Sequence, residues 1–485
     1  MHPREARNRH RRSPHAVVLL TSLLAAITLA GCAPQQPVHG RPDCLRAGGG
    51  HARAKNIILL VSDGAGFNCF DATSYYQHGE LGRQVYDGWP VRLACTTYML
   101  GRDGEPGGYD PAAFWSDFDR SLHGSHATDS AAAATALYTG RKTYGGAIAV
   151  DIDRRGLTTI AERADHNGMR AGAVTSVQFS HATPAALAAH NHSRGNYAAI
   201  AHEMIYGRTL DVVMGCGHPE YDHDGRSVDE ADHGYKYVGG RAAWEDLKAG
   251  TTGKGWTLID SKADFEAIAV DPSQAPDRLF GVARCRKTLQ EGREGDGMGE
   301  PNTNVPDLPT MTMAAIHTLS RDGDGFFLMV EGGAVDWANH HVRLGRMVEE
   351  QVDFNRAVEA VAGWVERHSS WDETLVIVTS DHECGGLWGP EADGEEPFQR
   401  VVNRGKGKLP GAKHFYGSHT NALVPLYARG PGAGRFVGLV RGIDPVWGAY
   451  VDNTDIYRVM AAALGGGRAG CAGRRAHCGR AESAE

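Results

Sequence analysis

The chain has 485 residues, of which 41% are hydrophobic and 22% charged, a composition typical of a soluble globular protein with one large domain or several ordinary ones. Its formal net charge of −8 leaves no basic excess, so we expect no binding to nucleic acid. The 24 histidines direct attention to metal sites, because imidazole nitrogen is a common metal ligand.

Residues 1–31 have the pattern of an export signal. Five arginines within residues 4–12 precede an apolar segment, 17–30, that is too short to span a bilayer comfortably. This segment ends in Leu-Ala-Gly-Cys32, which resembles the lipobox of bacterial lipoproteins. The resemblance implies a lipid on Cys32 and an exported, membrane-anchored protein facing the periplasm or the cell exterior. An ordinary secretory signal and a twin-arginine signal remain alternatives.

The two ends of the mature chain have the composition of connecting segments. Residues 32–54 contain several prolines and three consecutive glycines, as expected of a tether. Residues 467–485 form a tail rich in glycine and arginine, in which we expect Cys471 and Cys478 to form a local disulfide in an oxidising compartment. Cys95 and Cys216 lie in apolar runs and are interpreted as small buried side chains.

Three apolar segments of the chain each run directly into a carboxylate. Asp63 follows the run that begins at residue 56, Glu331 follows the run from 325, and Asp381 follows the run from 374. Continuous apolar runs of this length are typical of strands buried on both faces of a parallel sheet. Ligands bind beyond the carboxyl ends of such strands, so these acids indicate a functional site.

Predicted helices alternate with these strands, at residues 158–168, 184–192, 309–321 and 345–368. The alternation predicts an α/β fold for residues 55–466, a single large domain with a doubly wound, mostly parallel sheet and helices on both faces. Residues 101–120 and 215–308 are turn-rich and are interpreted as insertions that form a crown-like region over or beside the active face. Pro425 indicates that residues 423–429 form an edge strand.

An alanine-rich run from Ser130 to Gly140 predicts a short helix with Ser130 in its first turn. The free backbone N–H groups of that turn favour an anion, so the hydroxyl of Ser130 could meet a phosphate. The alternative is an ordinary buried helix in which Asp129 or Ser130 only caps the first turn.

Acids and histidines gather at the ends of the predicted strands in a number that suggests a shared metal cluster. Oxygen and nitrogen side chains of these types bind zinc, and carboxylates also bind magnesium. The candidate ligands are Asp63, Glu331, Asp336, His340, Asp381, His382 and His419.

These segments together resemble the alkaline phosphatase family. The matching segments are residues 56–66, 128–146, 181–194, 211–217, 325–340, 379–382 and 418–419. The resemblance implies hydrolysis of small phosphate monoesters through a phosphoserine intermediate, with release of inorganic phosphate. It also implies a possible homodimer.

The family pattern assigns a role to each matching residue. Ser130 would be the nucleophile, Arg194 would bind two phosphate oxygens, and Asp129 would orient Arg194. The resemblance implies two zinc ions and one magnesium ion, held respectively by Asp336, His340 and His419, by Asp63, Asp381 and His382, and by Asp63, Thr183 and Glu331. Since three ligands per zinc are then assigned, Cys384 is expected not to bind metal.

Two positions depart from one form of the family pattern. His181 and Trp337 stand where some members have aspartate and lysine. Histidine nitrogen is a softer ligand than carboxylate oxygen, so His181 would let the third site admit zinc or cobalt. Trp337 adds no charge, so the phosphate would lack the positive charge that lysine supplies in those members and would be held less tightly. Alternatives to a phosphomonoesterase are a phosphodiesterase or sulfatase of the same superfamily, and a non-catalytic lipoprotein that binds phosphate or metal.

Overall fold

A sheet of eleven strands forms the centre of the protein. The computed structural model describes residues 53–101, 104–105, 107–123, 127–294, 298–392 and 397–465. The predicted signal, nearly all of the tether and the tail, with Cys32, Cys471 and Cys478, lie outside the described residues. Within the described residues, no helix is long and apolar enough to cross a membrane.

The strands and helices follow each other along the chain in the alternation that the sequence predicts. The strands are β1 (Asn56–Ser62), β2 (Val91–Thr96), β3 (Arg170–Gln178), β4 (Val212–Cys216), β5 (Thr257–Ile259), β6 (Leu279–Val282), β7 (Phe326–Gly332), β8 (Thr374–Thr379), β9 (Glu383–Cys384), β10 (Leu387–Trp388), β11 (Lys413–His414), β12 (His419–Thr420), β13 (Val424–Arg429), β14 (Gly442–Asp444) and β15 (Gly448–Asp452). The α-helices are α1 (Phe67–His78), α2 (Pro111–Ser116), α3 (Phe118–His123), α4 (Ser130–Thr139), α5 (Ile160–His166), α6 (Ala182–Ala185), α7 (Tyr197–Tyr206), α8 (Arg241–Ala249), α9 (Lys262–Val270), α10 (Leu308–Leu319), α11 (Ala334–His340), α12 (Leu344–His368) and α13 (Asn453–Leu464). Short 3-10 helices span Val85–Gly88, Glu230–Asp232, Tyr235–Val238, Pro272–Gln274 and Ala433–Leu439.

The large sheet has the order β14-β15-β2-β13-β8-β1-β7-β3-β4-β6-β5. The seven strands from β8 to β5 run parallel, and β13 is antiparallel to both β8 and β2. β1 lies between β7 and β8, so the three strands that end in carboxylates are neighbours.

Alternate residues of β1 point to opposite faces of the sheet. Ile57, Leu59 and Val61 pack with residues of α4, α5, α7, α8 and α13, whereas Ile58 and Leu60 pack with residues of α1, α9, α10, α11 and α12. Each face of the sheet is therefore covered by helices, because both sets of apolar side chains must be removed from water. This confirms the predicted α/β fold with a mostly parallel sheet.

The prediction that Pro425 marks an edge strand is wrong, since β13 lies inside the sheet between β2 and β8. Pro425 is the second residue of β13, and pairing with β8 begins only at the next residue, Leu426. The missing N–H of proline therefore removes no bond from the ladder with β8.

The helix predicted over residues 184–192 is also wrong in extent, because α6 ends at Ala185. The backbone of Asn191 instead forms a bridge with Ile148, and the N–H of His190 donates to the carboxylate of Glu203. These tertiary bonds outweigh the helix preference of the alanines.

The two segments interpreted as insertions differ in how they join the domain. Residues 101–120 contribute α2 and the first half of α3, whose aromatic side chains pack beside Trp388 and Trp447. Residues 215–308 contribute β5 and β6, which extend the central sheet next to β4, so placing this segment wholly outside the sheet is wrong. Short strands between Gly-rich turns hid this extension from the sequence pattern.

Candidate metal and phosphate site

The carboxyl ends of β1, β7 and β8 bring Asp63, Glu331 and Asp381 together in the interior, each with none of its surface exposed. Oxygen atoms of all three are buried without a hydrogen-bond partner among the described residues. A buried ionised carboxylate is costly unless it is paired or binds a metal. Further side chains around these acids form three groups that could each hold a cation.

The first group contains Asp336 and His340 of α11 and His419 of β12. The two Nε2 atoms lie 3.0 Å apart, and each lies 3.4 Å from an oxygen of Asp336. Nδ1 of His340 faces the carbonyl of Gly417 at 2.8 Å, and Nδ1 of His419 faces that of Thr128 at 2.7 Å. Because Nδ1 must donate to a carbonyl, Nε2 of each ring faces the other ring and Asp336, and its lone pair would be free for a metal once the ring is neutral.

Cys384 joins this first group, which the sequence did not predict. It is the antiparallel partner of His419 across β9 and β12, and its ligand atom lies within 4.8 Å of those of the other three residues. The signal was its place two residues after His382 in a strand-like segment. Catalytic zinc commonly keeps a position free of protein ligands, and a thiolate bond here would fill that position. We therefore retain the expectation that Cys384 borders the group without binding its metal.

The second group consists of Asp63, Asp336 and His382. It lies beside Ser130, and Asp381 borders it next to His382. Nε2 of His382 is 3.2 Å from Oδ2 of Asp381 and 3.5 Å from Oδ1 of Asp63. The other oxygen of Asp381 accepts from the N–H groups of Gly64 and His382 at 3.1 and 2.9 Å. One oxygen of Asp381 is thus held by the backbone, while its second oxygen stays directed at the shared space with Asp63.

The third group consists of Asp63, His181 and Glu331. Thr175 of β3 donates to the carboxylate of Glu331, whereas the hydroxyl of Thr183, which is fully buried in α6, has no hydrogen-bond partner among the described residues. Asp63 thus faces both the second and the third group. Thr175 was absent from the sequence prediction, because nothing in β3 marks this threonine among its apolar neighbours.

The pKa shifts show how strongly these groups need a counter-charge. Burial, followed by repulsion from Asp381, raises the pKa of Asp63 well above its usual value. Burial also raises the pKa of Glu331 to about 7 and that of Asp381 to about 6. Burial lowers the pKa of His419, but its bond to Asp336 outweighs this effect and raises the value to about 9. A bound cation would lower the electrostatic cost of burying these carboxylates in their charged form, so the residues present fit divalent metal ions.

Ser130 is the first residue of α4, and Asp129 caps this helix by accepting from the N–H of Ala132 at 3.0 Å. Oγ of Ser130 lies 3.3 Å from Nε2 of His382, which places the hydroxyl beside the second group. The other contacts of Asp129 are the N–H of Gly146 at 3.0 Å and Nη1 of Arg194 at 3.0 Å. The structure therefore brings together Ser130, Asp129 and Arg194.

Arg194 also touches one of the two residues that depart from the common pattern. Its Nη2 lies 3.2 Å from Nε2 of His181, which must accept this bond as a neutral ring. Burial, with the charge of Arg194 second, lowers the pKa of His181 to about 3. The half-buried ring of Trp337 lies edge-on to His181, with 5.8 Å between ring centroids. His181 therefore contacts both the arginine and the third group.

Comparisons with known proteins agree with this arrangement. The sequence profile of the alkaline phosphatase family matches residues 54–417. Alkaline phosphatase of Escherichia coli K12 is 30% identical over 443 residues, covering 85% of this chain and 86% of its own. Streptomycin-6-phosphate phosphatase of Streptomyces griseus is 31% identical over 465 residues, covering 86% and 92%. Alkaline phosphatase from the Antarctic bacterium TAB5 superposes with a TM-score of 0.59 at 25% identity, covering 85% and 98%. The chain therefore belongs to the alkaline phosphatase family, whose fold and metal-dependent hydrolysis of phosphate monoesters it shares.

Proposed function

We propose that the protein hydrolyses phosphate monoesters through a phosphoserine formed on Ser130, at a site that holds two zinc ions and a third ion, usually magnesium. The observation that carries this proposal is the position of Ser130 beside His382 and directly after Asp129, which holds Arg194. A hydroxyl beside a candidate metal ligand, in the same site as a guanidinium, suits attack on a bound phosphate.

Arg194 would bind two oxygens of the substrate phosphate, because a planar guanidinium matches phosphate with two parallel hydrogen bonds. The Asp129 carboxylate holds Nη1 of Arg194 in place. The backbone N–H groups at the start of α4 add partial positive charge behind the phosphate. Arg194 and the start of α4 would therefore balance the negative charge of the phosphate before any covalent bond changes.

Oγ of Ser130 would attack phosphorus as the ester bond to the leaving alcohol breaks, giving phosphoserine. Water then cleaves the phosphoserine, which restores the hydroxyl and releases inorganic phosphate. Metal ions held by the first and second groups would supply positive charge to the leaving and attacking oxygens. The chain itself contributes the alignment of Ser130 by α4 and of the phosphate by Arg194.

We expect Ser130→Ala to lower the turnover of p-nitrophenyl phosphate by roughly 10³-fold or more while the metal content stays unchanged. The reason is that Ser130 supplies the attacking oxygen, whereas other side chains supply the ligands. The measurements are the turnover rate, the metal content and the amount of labelled phosphoserine trapped in acid.

Ser116→Ala, which removes an exposed hydroxyl at the end of α2, serves as the control and should behave as wild type. Trapped phosphoenzyme in Ser130→Ala would contradict the assignment. Assays with bis(p-nitrophenyl) phosphate and p-nitrophenyl sulfate separate the alternative activities, and faster hydrolysis of either one would favour the phosphodiesterase or sulfatase.

Metal removal is expected to make the stability depend on pH between 6.5 and 9. In the stripped protein the folded His419 keeps its proton up to about pH 9, whereas an unfolded histidine loses it near pH ~6.5. The raised pKa therefore contributes stability that is lost as the pH rises through this window, and the raised pKa of Glu331 adds a separate loss between its ordinary value of 4.5 and about pH 7.

The measurement is the melting temperature against pH, with and without a chelator. The metal-loaded protein should vary less, since bound cations replace the protons. Stripped His419→Gln should lose most of the dependence that stripped wild type shows. Identical pH profiles for loaded and stripped wild type would contradict the metal groups.

We propose that His181 and Trp337 let the third site admit zinc or cobalt and let the phosphate product leave readily. A solved structure of the TAB5 enzyme is a histidine-to-aspartate variant with magnesium bound in a site called M3, which supports testing the same replacement here. We expect His181→Asp with Trp337→Lys to bind magnesium more selectively and to be inhibited more strongly by phosphate. His192→Asp, at an exposed histidine outside the three groups, is the control. Unchanged metal selectivity and phosphate inhibition would show that these positions do not tune the site.

We further propose that the protein is an exported lipoprotein anchored through Cys32. Stable anchoring requires more than one acyl chain, as on a bacterial lipoprotein. We expect wild type to partition with membranes and Cys32→Ser to lose lipid processing, whereas Cys44→Ser should behave as wild type. Fractionation and mass measurement of the mature N-terminus test this. A soluble mature protein with an unmodified Cys32 would contradict it.

A further inference from the structure

Two buried cysteines lie against each other at the edge of the sheet farthest from β13, outside the three metal groups. Cys216 is the last residue of β4, and Cys285 follows β6. Their Sγ atoms are 3.1 Å apart, and neither residue has any exposed surface. Among the described thiols this is the one sulfur–sulfur hydrogen bond.

The backbone holds the two residues in register. The N–H groups of Gly217 and His218 both donate to the carbonyl of Cys285 at 3.1 Å, and the N–H of Ala283 donates to the carbonyl of Gly215 at 2.9 Å. Cross-linking two cysteines requires neighbouring backbones and side chains that face each other. Both conditions are met, so a bond to the ~2.05 Å of a disulfide needs only a small side-chain rotation.

We propose that Cys216 and Cys285 form a structural disulfide in the mature protein. The two Sγ atoms bond to each other and release two protons and two electrons, which reduce one small-molecule or protein disulfide to two thiols. The inference depends on an oxidising compartment and is independent of the chemistry at Ser130.

The bond would form before the segment is fully folded. Burial, with the bond to Cys285 second, raises the pKa of the Cys216 thiol well above its usual value, so the folded protein holds little of the reactive thiolate. Once formed, the disulfide would close a 69-residue separation that includes α8, α9, β5 and β6. It would fix β5 and β6, which extend the sheet, to the end of β4. β4 pairs with β3, the strand that carries Thr175.

The test is to refold the full chain in mixed reduced and oxidised glutathione, block free thiols with N-ethylmaleimide in denaturant, and map the peptides by mass spectrometry. We expect a peptide linked through Cys216 and Cys285, with Cys69, Cys95 and Cys384 recovered as maleimide adducts. Adducts on Cys216 and Cys285, or a link from either one to another cysteine, would overturn the proposal.

Stability gives a second readout. Reduction should lower the melting temperature of wild type by about 5 °C, because the closed loop restricts the unfolded chain. Cys216→Ala with Cys285→Ala should show no response to reductant, whereas Cys95→Ala, at a buried thiol in β2, should respond as wild type does. A wild-type melting temperature that ignores reductant would overturn the structural role, and the peptide map decides the case if the double variant fails to fold.

Discussion

The structure depends on three carboxylates that the parallel sheet delivers into one buried volume. β1 lies between β7 and β8, so Asp63, Glu331 and Asp381 must lie side by side wherever those strands end. Burial first, and repulsion from the neighbouring carboxylates second, raise the pKa of Asp63 well above its usual value. Bound cations would therefore offset this repulsion, and the imidazoles of His340, His382 and His419 lie around the same carboxylates.

Hydrogen bonds to the backbone determine which atom of each candidate ligand side chain faces the metal groups. The carbonyls of Gly417 and Thr128 take up Nδ1 of His340 and His419, and two backbone N–H groups take up one oxygen of Asp381. Such contacts fix ring orientation and increase ligand basicity. Thr128 comes two residues before Ser130, so the same short segment orients a ligand of one group and begins the helix that carries the hydroxyl.

The sequence predicts most of the fold, because its strongest signals are long and local. The apolar runs before Asp63, Glu331 and Asp381 identify the central strands, and Ser130 begins α4 as the alanine run predicts. The edge-strand prediction from Pro425 is wrong because the missing N–H of proline disrupts a ladder only where the residue is paired, and pairing with β8 begins one residue later. The early end of α6 depends on the bridge between Asn191 and Ile148, which no local pattern reveals. The place of Cys384 beside His419 and the bond from Arg194 to His181 likewise arise from tertiary contacts.

Asp129 links the folding of α4 to the shape of the phosphate site. One carboxylate caps the helix at Ala132, closes the turn at Gly146 and holds Arg194. All ten residues of α4 are buried, so the helix cannot shift without disturbing the core. No intermediate with a loose arginine and a finished helix is then favoured, since the two oxygens of one carboxylate serve both: Oδ1 accepts from Ala132 and Oδ2 from Arg194. Local opening of this segment should release the helix end and the arginine as one cooperative unit.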